Sequence, residues 1–330
     1  MDAMNKRERV AAALAGRDVD RPPVAFWRHW PIDDQDAETL ARAALDYQRR
    51  FDWDFVKVPP SHTYAVDDYG AKHVYKGRAV GDRDHTERVI KRLEDWDRVE
   101  RLDVTKGAYG RTLECQKRII DGRESDTPVV MTMFDPLTVA RYLAGDEAFV
   151  VHMRREPERV ERALAALTRT CADFARLVVA EGADGVFLSV VGASYEIMSE
   201  DEYRRFGLAG DLATLAAAEA GWFNILHLHG QYPMFALAAG LPVQALNWHD
   251  RAAGPSLAEG LRLFPGAAVG GVEQFNVLHF GTPVEVEAQV RDAIAQTGGR
   301  RLIVAAGCTY PLTVPEGNLL AARRAVDRRP

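Results

Sequence analysis

The chain has 330 residues, with 42 lysines and arginines against 48 aspartates and glutamates and a formal net charge of −6. This balance excludes a nucleic-acid scaffold, which needs a basic face. No apolar run approaches the roughly 20 residues that cross a bilayer, and no signal-peptide pattern opens the chain. Three cysteines cannot build a disulfide framework, so we expect a cytoplasmic protein without a membrane segment.

Eight short apolar runs alternate with amphipathic stretches. The runs are Pro23–Trp27, Phe55–Val58, Val129–Met133, Gly185–Ser189, Phe223–His227, Val243–Trp248, Ala267–Gly270 and Arg301–Ala306. The amphipathic stretches include Ala37–Phe51, Pro157–Ala180, Glu200–Glu219, Ser256–Phe264 and Pro283–Thr297. This alternation predicts an α/β fold, a closed (β/α)8 TIM barrel. The alternative, an open doubly wound sheet, is expected to carry a glycine-rich phosphate turn, and the sequence has none.

We expect residues 1–330 to form a single domain, because no low-complexity tract or flexible linker divides the sequence. A helical extension precedes the first strand. Residues 61–123 are too long for one β/α connection and rich in charge, which predicts an insertion after strand 2 that folds over one end of the barrel. Two interpretations of this insertion stay open, a lid and a solvated surface elaboration.

The active site of such a barrel lies at the C-terminal ends of its strands, so the polar residues near these ends are the site candidates. In chain order they are Arg28, His29, Asp54, Lys57, Asp135, Tyr142, Ser189, His227, His229, Asn247, His249, Asp250, Glu273, Gln274 and Cys308. Polar residues at all eight ends predict an enzyme rather than a structural module. The candidate substrate-binding residues are Arg28, Ser189, Asn247 and Gln274, and Arg28 is either a carboxylate clamp or a surface ion pair.

His227, His229 and Cys308 form the sharpest pattern. Residues i and i+2 of a strand share one face, so both imidazoles are predicted to point into the barrel lumen. The closing strand brings Cys308 to the same rim. Two imidazoles and a thiolate suit a catalytic zinc ion with its fourth position open. The alternative is an incidental histidine pair and a packing cysteine, and the joint placement favours the metal site.

The segment Lys6–Val24, which reads KRERVAAALAGRDVDRPPV, resembles the start of the uroporphyrinogen decarboxylase (URO-D) superfamily. Further landmarks of the superfamily are matched at Phe51–Pro59, Asp135–Gly145, Glu181–Phe206, Val269–Val272 and Gly307–Asn318, so the resemblance spans nearly the whole chain. It implies a (β/α)8 barrel. It also implies one of two activities, cofactor-free porphyrinogen decarboxylation or zinc-dependent methyl transfer from a corrinoid to a thiol.

For the decarboxylase branch, the resemblance places Asp54 at the catalytic aspartate, and Tyr142 and Ser189 at substrate contacts. This sequence departs from that branch at two positions. Ile32 stands where the second arginine of the substrate clamp is expected, and Gly307-Cys308 replaces a histidine after the last strand. A substrate with eight carboxylates calls for a strongly cationic cleft, so these departures disfavour decarboxylation.

For the methyltransferase branch, the implied zinc ligands are a His-x-Cys pair and a Gly-Cys pair, which read His227-Leu-His229 and Gly307-Cys308 here. We therefore expect a zinc-dependent methyltransferase that moves a methyl group from a corrinoid or a methylated substrate to a thiol. The implied partners are a small-molecule substrate and a corrinoid protein, and a homodimer is left open.

Three alternatives remain beside this prediction. The first is uroporphyrinogen decarboxylase. The second is a metal-dependent hydrolase or lyase, in which Asp54, Asp250 or Glu273 acts as the general base. The third is a non-enzymatic metal sensor or corrinoid-binding subunit, which the chemically equipped pocket disfavours. The catalytic candidates across these interpretations are Asp54, Tyr142 and Glu273.

Overall fold

The eight apolar runs form the wall of a barrel in the computed structural model, which describes residues 3–327. The strands of this part of the chain are β1 (Val56–Val58), β2 (Lys72–Val74), β3 (Asp84–Glu87), β4 (Val129–Phe134), β5 (Gly185–Val190), β6 (Ile225–Leu228), β7 (Ala245–Trp248), β8 (Ala267–Val272) and β9 (Leu302–Ala306). Within the described residues, seven of them form one parallel sheet in the order β1-β4-β5-β6-β7-β8-β9.

The first apolar run closes this sheet without being a regular strand itself. Val24 forms a parallel bridge with Val304 of β9. The Ala25 amide donates to the Val304 carbonyl at 3.0 Å, and the Asp54 amide, next to β1, donates to the Val24 carbonyl at 2.9 Å. The run therefore takes the place of the eighth strand between β9 and β1, and the predicted TIM-barrel fold class is confirmed.

Helices surround the sheet. They are α1 (Lys6–Leu14), α2 (Ala37–Phe51), α3 (Tyr64–Asp67), α4 (Gly107–Gly122), α5 (Pro136–Ala144), α6 (Asp146–Arg155), α7 (Pro157–Ala180), α8 (Glu200–Phe206), α9 (Leu208–Ala217), α10 (Phe235–Ala238), α11 (Leu257–Leu263), α12 (Val277–Phe280), α13 (Pro283–Thr297) and α14 (Glu316–Ala325), with 3₁₀ turns at Asp33–Gln35 and Leu93–Arg98. Strands β4 to β9 bury every residue, as expected of a parallel sheet whose outer face is covered by helices.

The stretch Glu200–Glu219, predicted as one helix, is divided into α8 and α9 at Gly207. A Cβ atom at Gly207 would lie 2.6 Å from the Tyr203 ring, so only glycine fits this turn. The new helix α9 then packs along α7. No helix of residues 3–327 combines the length and the apolar composition that a bilayer crossing requires.

The segment 61–123 has two parts with different positions. Helix α4 packs against α2, β1 and β4, so it belongs to the outer layer of the barrel. Strands β2 and β3 pair as an antiparallel hairpin, and residues of β3 and its preceding turn line the cavity at the C-terminal mouth. The hairpin, its turn and the flanking residues His62 and Arg88 therefore form the part of the segment that lies at the mouth. The role of this part as a lid stays a prediction.

Candidate active site

A cavity of about 780 Å³ opens at the C-terminal ends of the strands. Its wall includes Ser189 of β5, His227 of β6 and Cys308, which follows β9. The hairpin β2–β3 and its turn contribute Asp82 and His85 from the other side. Barrels of this class carry their chemistry at this end, so the cavity is the candidate active site.

The three predicted metal ligands meet in this cavity. Sγ of Cys308 lies 3.6 Å from Nε2 of His227 and 3.6 Å from Nδ1 of His229. His249 joins them, and one ligand atom from each of the four residues lies within 4.8 Å of the others. The structure thus brings together three nitrogen donors and one sulfur, which we call the His/Cys cluster.

Electrostatics within the His/Cys cluster favour a thiolate. Burial alone raises the pKa of the Cys308 thiol, but the imidazoles of His227 and His229 outweigh burial and hold this pKa well below its usual value. For His229, burial lowers the pKa, the Cys308 thiolate raises it more, and the net shift is upward. These opposite pKa shifts favour a thiolate at Cys308 and a proton on His229.

Asn247 fixes the ring of His227. The Nδ2 group of Asn247 donates to the carbonyls of Val269 at 2.8 Å and Ala306 at 3.1 Å, so its Oδ1 atom faces His227. That oxygen lies 2.6 Å from Nδ1 of His227 and accepts its proton. Nε2 of His227 is then left with a lone pair turned toward Cys308. Asn247 is fully buried and does not line the cavity, so we revise its expected role from substrate contact to support of His227.

His249 is the member of the cluster that the three-ligand prediction missed. Its Nδ1 atom lies 3.1 Å from Nε2 of Gln274. Its Nε2 atom is buried and has no hydrogen-bond partner among the described residues. Gln274 is buried behind His249 and does not line the cavity, so it too supports a cluster member rather than a substrate. The sequence did place His249 two residues after Asn247, at the end of a predicted strand. This position could have indicated a fourth member of the cluster.

Ser189 and Tyr142 both line the cavity, as the sequence predicts for site residues. Ser189 is paired in register with His227 across β5 and β6. Burial raises the pKa of the Tyr142 hydroxyl, whose ring packs edge-on against Phe134 at 5.4 Å and His62 at 5.8 Å between centroids. Both positions are compatible with the predictions, which stay Ser189 as a substrate contact and Tyr142 as a catalytic or substrate-contacting residue.

Asp54 lies at the opposite end of the barrel, before β1 rather than after it. Its two carboxylate oxygens accept hydrogen bonds from Arg9 and Arg21, both at 2.6 Å, and from the Val24 amide at 2.7 Å. The carboxylate is fully buried and does not reach the cavity. We therefore revise the catalytic role expected of Asp54 to a structural one, the attachment of the N-terminal segment to the barrel.

Glu273 and Arg28 also lie outside the cavity. The Glu273 carboxylate accepts hydrogen bonds from the backbone amides of residues 275–277 at 2.5 to 3.0 Å, which stabilises the turn before α12. Arg28 lies over the Trp30 ring at 4.2 Å and donates to the Leu312 carbonyl at 3.3 Å. Because neither side chain reaches the cavity, we revise both expectations accordingly.

Several cavity residues were not among the predicted site candidates, and they include His62, Asp82, His85 and Arg141. His29 and Lys57 were candidates at strand ends without an assigned role, and both line the cavity. Asp82 and His85 come from the charged insertion, whose distance in sequence from the strands hides its contact with the mouth. Arg141 lies on α5, and the sequence does not show which face of that helix meets the cavity.

Comparison with known proteins gives three findings. A family model described as uroporphyrinogen decarboxylase (URO-D) matches residues 5–329. The methylcobamide:CoM methyltransferase MtbA of Methanosarcina mazei is 26% identical over 97% of this chain and 96% of its own, and MtaA of Methanosarcina barkeri, named for the same reaction, is 23% identical over 99% of each. A solved methyltransferase from Methanosarcina mazei has a TM-score of 0.86 at 23% identity and covers 98% of both chains. The predicted fold class and the prediction of a methyltransferase enzyme are confirmed by these matches.

Proposed function

The chain belongs to the uroporphyrinogen decarboxylase (URO-D) family, and on that premise we propose that it transfers a methyl group from a corrinoid to a thiol at the His/Cys cluster. The observation that carries this proposal is the convergence of His227, His229, His249 and Cys308 within 4.8 Å. Two relatives are named methylcobamide:CoM methyltransferases, which supports a corrinoid donor and a thiol acceptor. A corrinoid protein is the macromolecular partner that we infer from this activity.

The cluster fits one divalent metal ion, and zinc is the ion that a set of imidazole and thiolate ligands favours. The Nε2 atom of His249 is buried and has no hydrogen-bond partner among residues 3–327, and a bound metal ion would satisfy it. His227 already presents its Nε2 lone pair, because Asn247 accepts its Nδ1 proton. A bound zinc ion would supply a positive centre that keeps a thiol deprotonated at neutral pH.

The residues of the chain prepare the cavity for this reaction. Asn247 and Gln274 hold two of the cluster imidazoles from behind. Phe187 stacks on His227 at 5.3 Å between ring centroids and shields that side of the cluster from water. In the proposed reaction, the acceptor thiol releases its proton to solvent and its sulfur forms a bond to the methyl carbon. The cobalt–carbon bond of the corrinoid breaks, and its electron pair stays on the cobalt. A partly enclosed cavity of about 780 Å³ has room for a small thiol beside the cluster.

The positions of the candidate general bases disfavour the hydrolase or lyase alternative. The three general bases named for it, Asp54, Asp250 and Glu273, do not line the cavity. Asp250 is buried and accepts a hydrogen bond from the Gly271 amide at 3.1 Å, and burial raises its pKa to about 6. Its carboxylate therefore stabilises the connection between β7 and β8 by this hydrogen bond.

The proposal is tested with protein purified without chelators or a metal-affinity tag. We expect elemental analysis to give about one zinc per chain, and Cys308→Ser and His227→Ala to lower this content sharply. With methylcobalamin as donor and 2-mercaptoethanol as acceptor under anaerobic conditions, loss of the methylcobalamin absorption should require Cys308. Cys115→Ala, a buried cysteine outside the cavity, is the matched control. A full transfer rate in Cys308→Ser, or no transfer to any thiol by metal-loaded protein, would overturn the proposal.

A further inference from the structure

Lys57 places an amine without a counter-ion in the candidate active site. It lies on β1, lines the cavity and keeps part of its surface open. Its Nζ atom lies 4.5 Å from the centroid of the Phe187 ring and 5.6 Å from that of the Trp27 ring. Within residues 3–327, no hydrogen bond or ion pair engages it. An ammonium group in these aromatic surroundings lacks the carboxylate that would stabilise its charge.

These surroundings favour the neutral form of the Lys57 amine. Burial lowers the pKa of Lys57 to about 7, although the Cys308 thiolate raises it. Lys57 in turn acts on His29, whose pKa is lowered to about 4 by burial and by the lysine charge. Arg28, the neighbour of His29 in the chain, lies over the Trp30 ring. Much of the Lys57 population is therefore unprotonated at neutral pH and carries a lone pair on Nζ inside the cavity.

The other basic groups of the cavity bind protons too weakly to act at neutral pH. Burial lowers the pKa of His29 and His85 to about 4 and holds that of His62 well below its usual value. Burial raises the pKa of Asp82, but from the low value of a carboxyl group, about 4. A general base works best when its pKa lies near the working pH, and Lys57 fits this condition.

Lys57 and the His/Cys cluster border the same cavity of about 780 Å³. Phe187 lies between them, since its ring contacts Nζ of Lys57 and stacks on the His227 imidazole at 5.3 Å between centroids. The effect of Cys308 on the pKa of Lys57 places the two charged groups within electrostatic reach of each other. A thiol bound at the cluster therefore lies in the part of the cavity that Lys57 faces.

We propose that Lys57 is the general base that removes the thiol proton of the methyl acceptor. This inference rests on the proposed function. The S–H bond breaks and its electron pair stays on the sulfur, while Nζ of Lys57 forms an N–H bond and becomes an ammonium group. The sulfur then forms its bond to the methyl carbon as the cobalt–carbon bond breaks. The ammonium group releases the proton to solvent, which restores the base.

The first test measures the protonation of Lys57 without catalysis. Competitive labelling of the metal-free protein with acetic anhydride, followed by mass spectrometry of its peptides, gives the pH dependence of each lysine. We expect half-maximal reactivity of Lys57 near pH 7. Lys117, an exposed lysine of α4, is the internal control and should titrate at about 10.4. Reactivity of Lys57 that follows the profile of Lys117 would overturn the proposal.

The second test follows methyl transfer from methylcobalamin to 2-mercaptoethanol by zinc-loaded protein. The kcat of the wild type should rise with pH through about 7 and then level. Lys57→Met and Lys57→Arg should each lower kcat at pH 8 at least tenfold with little change in the KM for the thiol, because a general base typically contributes about 10²–10⁴-fold. Ethylamine should restore part of the rate to Lys57→Ala, which leaves room for it. Lys117→Met is the matched control, and elemental analysis checks that every variant holds zinc.

The outcomes separate this inference from the proposed function. If the wild type methylates the thiol and the Lys57 variants keep its rate and pH profile, the base is another group and the proposed function stands. If Lys57→Ala is slow but keeps the wild-type pH profile and gains nothing from ethylamine, Lys57 acts through packing and the proposal is overturned. If the zinc-loaded wild type methylates no thiol, the proposed function fails and the role of Lys57 fails with it.

Discussion

The side-chain oxygen of Asn247 lies 2.6 Å from Nδ1 of His227, and two backbone carbonyls hold the Asn247 amide in that orientation. The hydrogen bonds of Asn247, which lies outside the cavity, therefore set the tautomer of His227. A metal ion at the cluster would need a lone pair on Nε2 of His227. The Asn247 amide favours that form because it accepts the Nδ1 proton.

Replacement of Asn247 tests this control. We expect Asn247→Ala to weaken zinc binding about 10- to 100-fold, as the loss of such supporting contacts generally does. Asn247→Asp keeps an acceptor for His227 and should retain more of the affinity. Competition with a chromophoric chelator measures both, and Asn276→Ala, an exposed position, is the control. Unchanged affinity in Asn247→Ala would show that His227 is oriented by other contacts.

His249 is expected to contribute to metal affinity without being indispensable, because three ligand atoms remain when it is removed. His249→Ala should keep a stoichiometry of about one zinc per chain while weakening the zinc affinity, and Gln274→Ala should weaken it less. The matched control is His279→Ala, whose ring hydrogen-bonds to Thr313 on the surface. If His249→Ala binds zinc as tightly as the control, His249 is not a ligand.

Lys57 should make the stability of the protein depend on pH. Burial lowers its pKa to about 7 in the native state, whereas the unfolded chain has a lysine pKa of about 10.4. The native state therefore holds this charge at a cost that is full below pH 7 and disappears as pH rises toward 10.4. Lys57→Met should raise the free energy of unfolding more at pH 6 than at pH 9.5.

Urea titrations of metal-free protein at these two pH values measure the effect. Lys117→Met, at an exposed position of α4, provides the baseline for the loss of a lysine. A change in unfolding free energy that is the same at both pH values would mean that Lys57 keeps an ordinary pKa.

Asp54 is predicted to matter for stability and not for the chemistry. Without the Asp54 carboxylate, Arg9 keeps its ion pair with Asp20 and Arg21 keeps its ion pair with Asp327, but both lose their buried partner. Removing one partner of a buried ion pair typically costs about 3–5 kcal/mol, and the remaining partners place Asp54 at the lower end of this range. Asp54→Asn should lower the urea midpoint strongly while the folded fraction keeps its methyl-transfer rate. Asp46→Asn is the exposed control. A rate that falls while the urea midpoint is unchanged would return Asp54 to the catalytic residues.

The chain is expected to be a poor uroporphyrinogen decarboxylase. Arg28 lies outside the cavity and Ile32 is 74% exposed. Cys308 stands where the resemblance to the decarboxylase branch implies a histidine. Anaerobic incubation with the porphyrinogen, followed by analysis for coproporphyrinogen, should show at most traces of product. Turnover in the ordinary enzymatic range of about 1–10³ per second would contradict this expectation.

The strand positions and the shared orientation of His227 and His229 were predictable, because both depend on a local pattern of apolar and polar residues. Apolar runs mark strands that are buried on both faces, and the spacing of His227 and His229 places them on one face. Asp54 was misplaced because a polar residue beside an apolar run does not reveal which end of the strand it occupies. Whether Arg141 faces the cavity depends on how α5 packs at the mouth of the barrel. Whether His249 joins the cluster depends on the turn that follows β7. Both are tertiary relationships that no local pattern encodes.

The bridge between Val24 and Val304 joins the beginning of the chain to its end. During synthesis, the first apolar run leaves the ribosomal exit tunnel long before β9. It therefore lacks Val304, its pairing partner, until β9 has been made. His227 and His249 are made in that interval, but Cys308 follows β9 and arrives only when the barrel can close. Assembly of the His/Cys cluster is thereby tied to synthesis of the last strand, and a chain that stops before Cys308 lacks the thiolate.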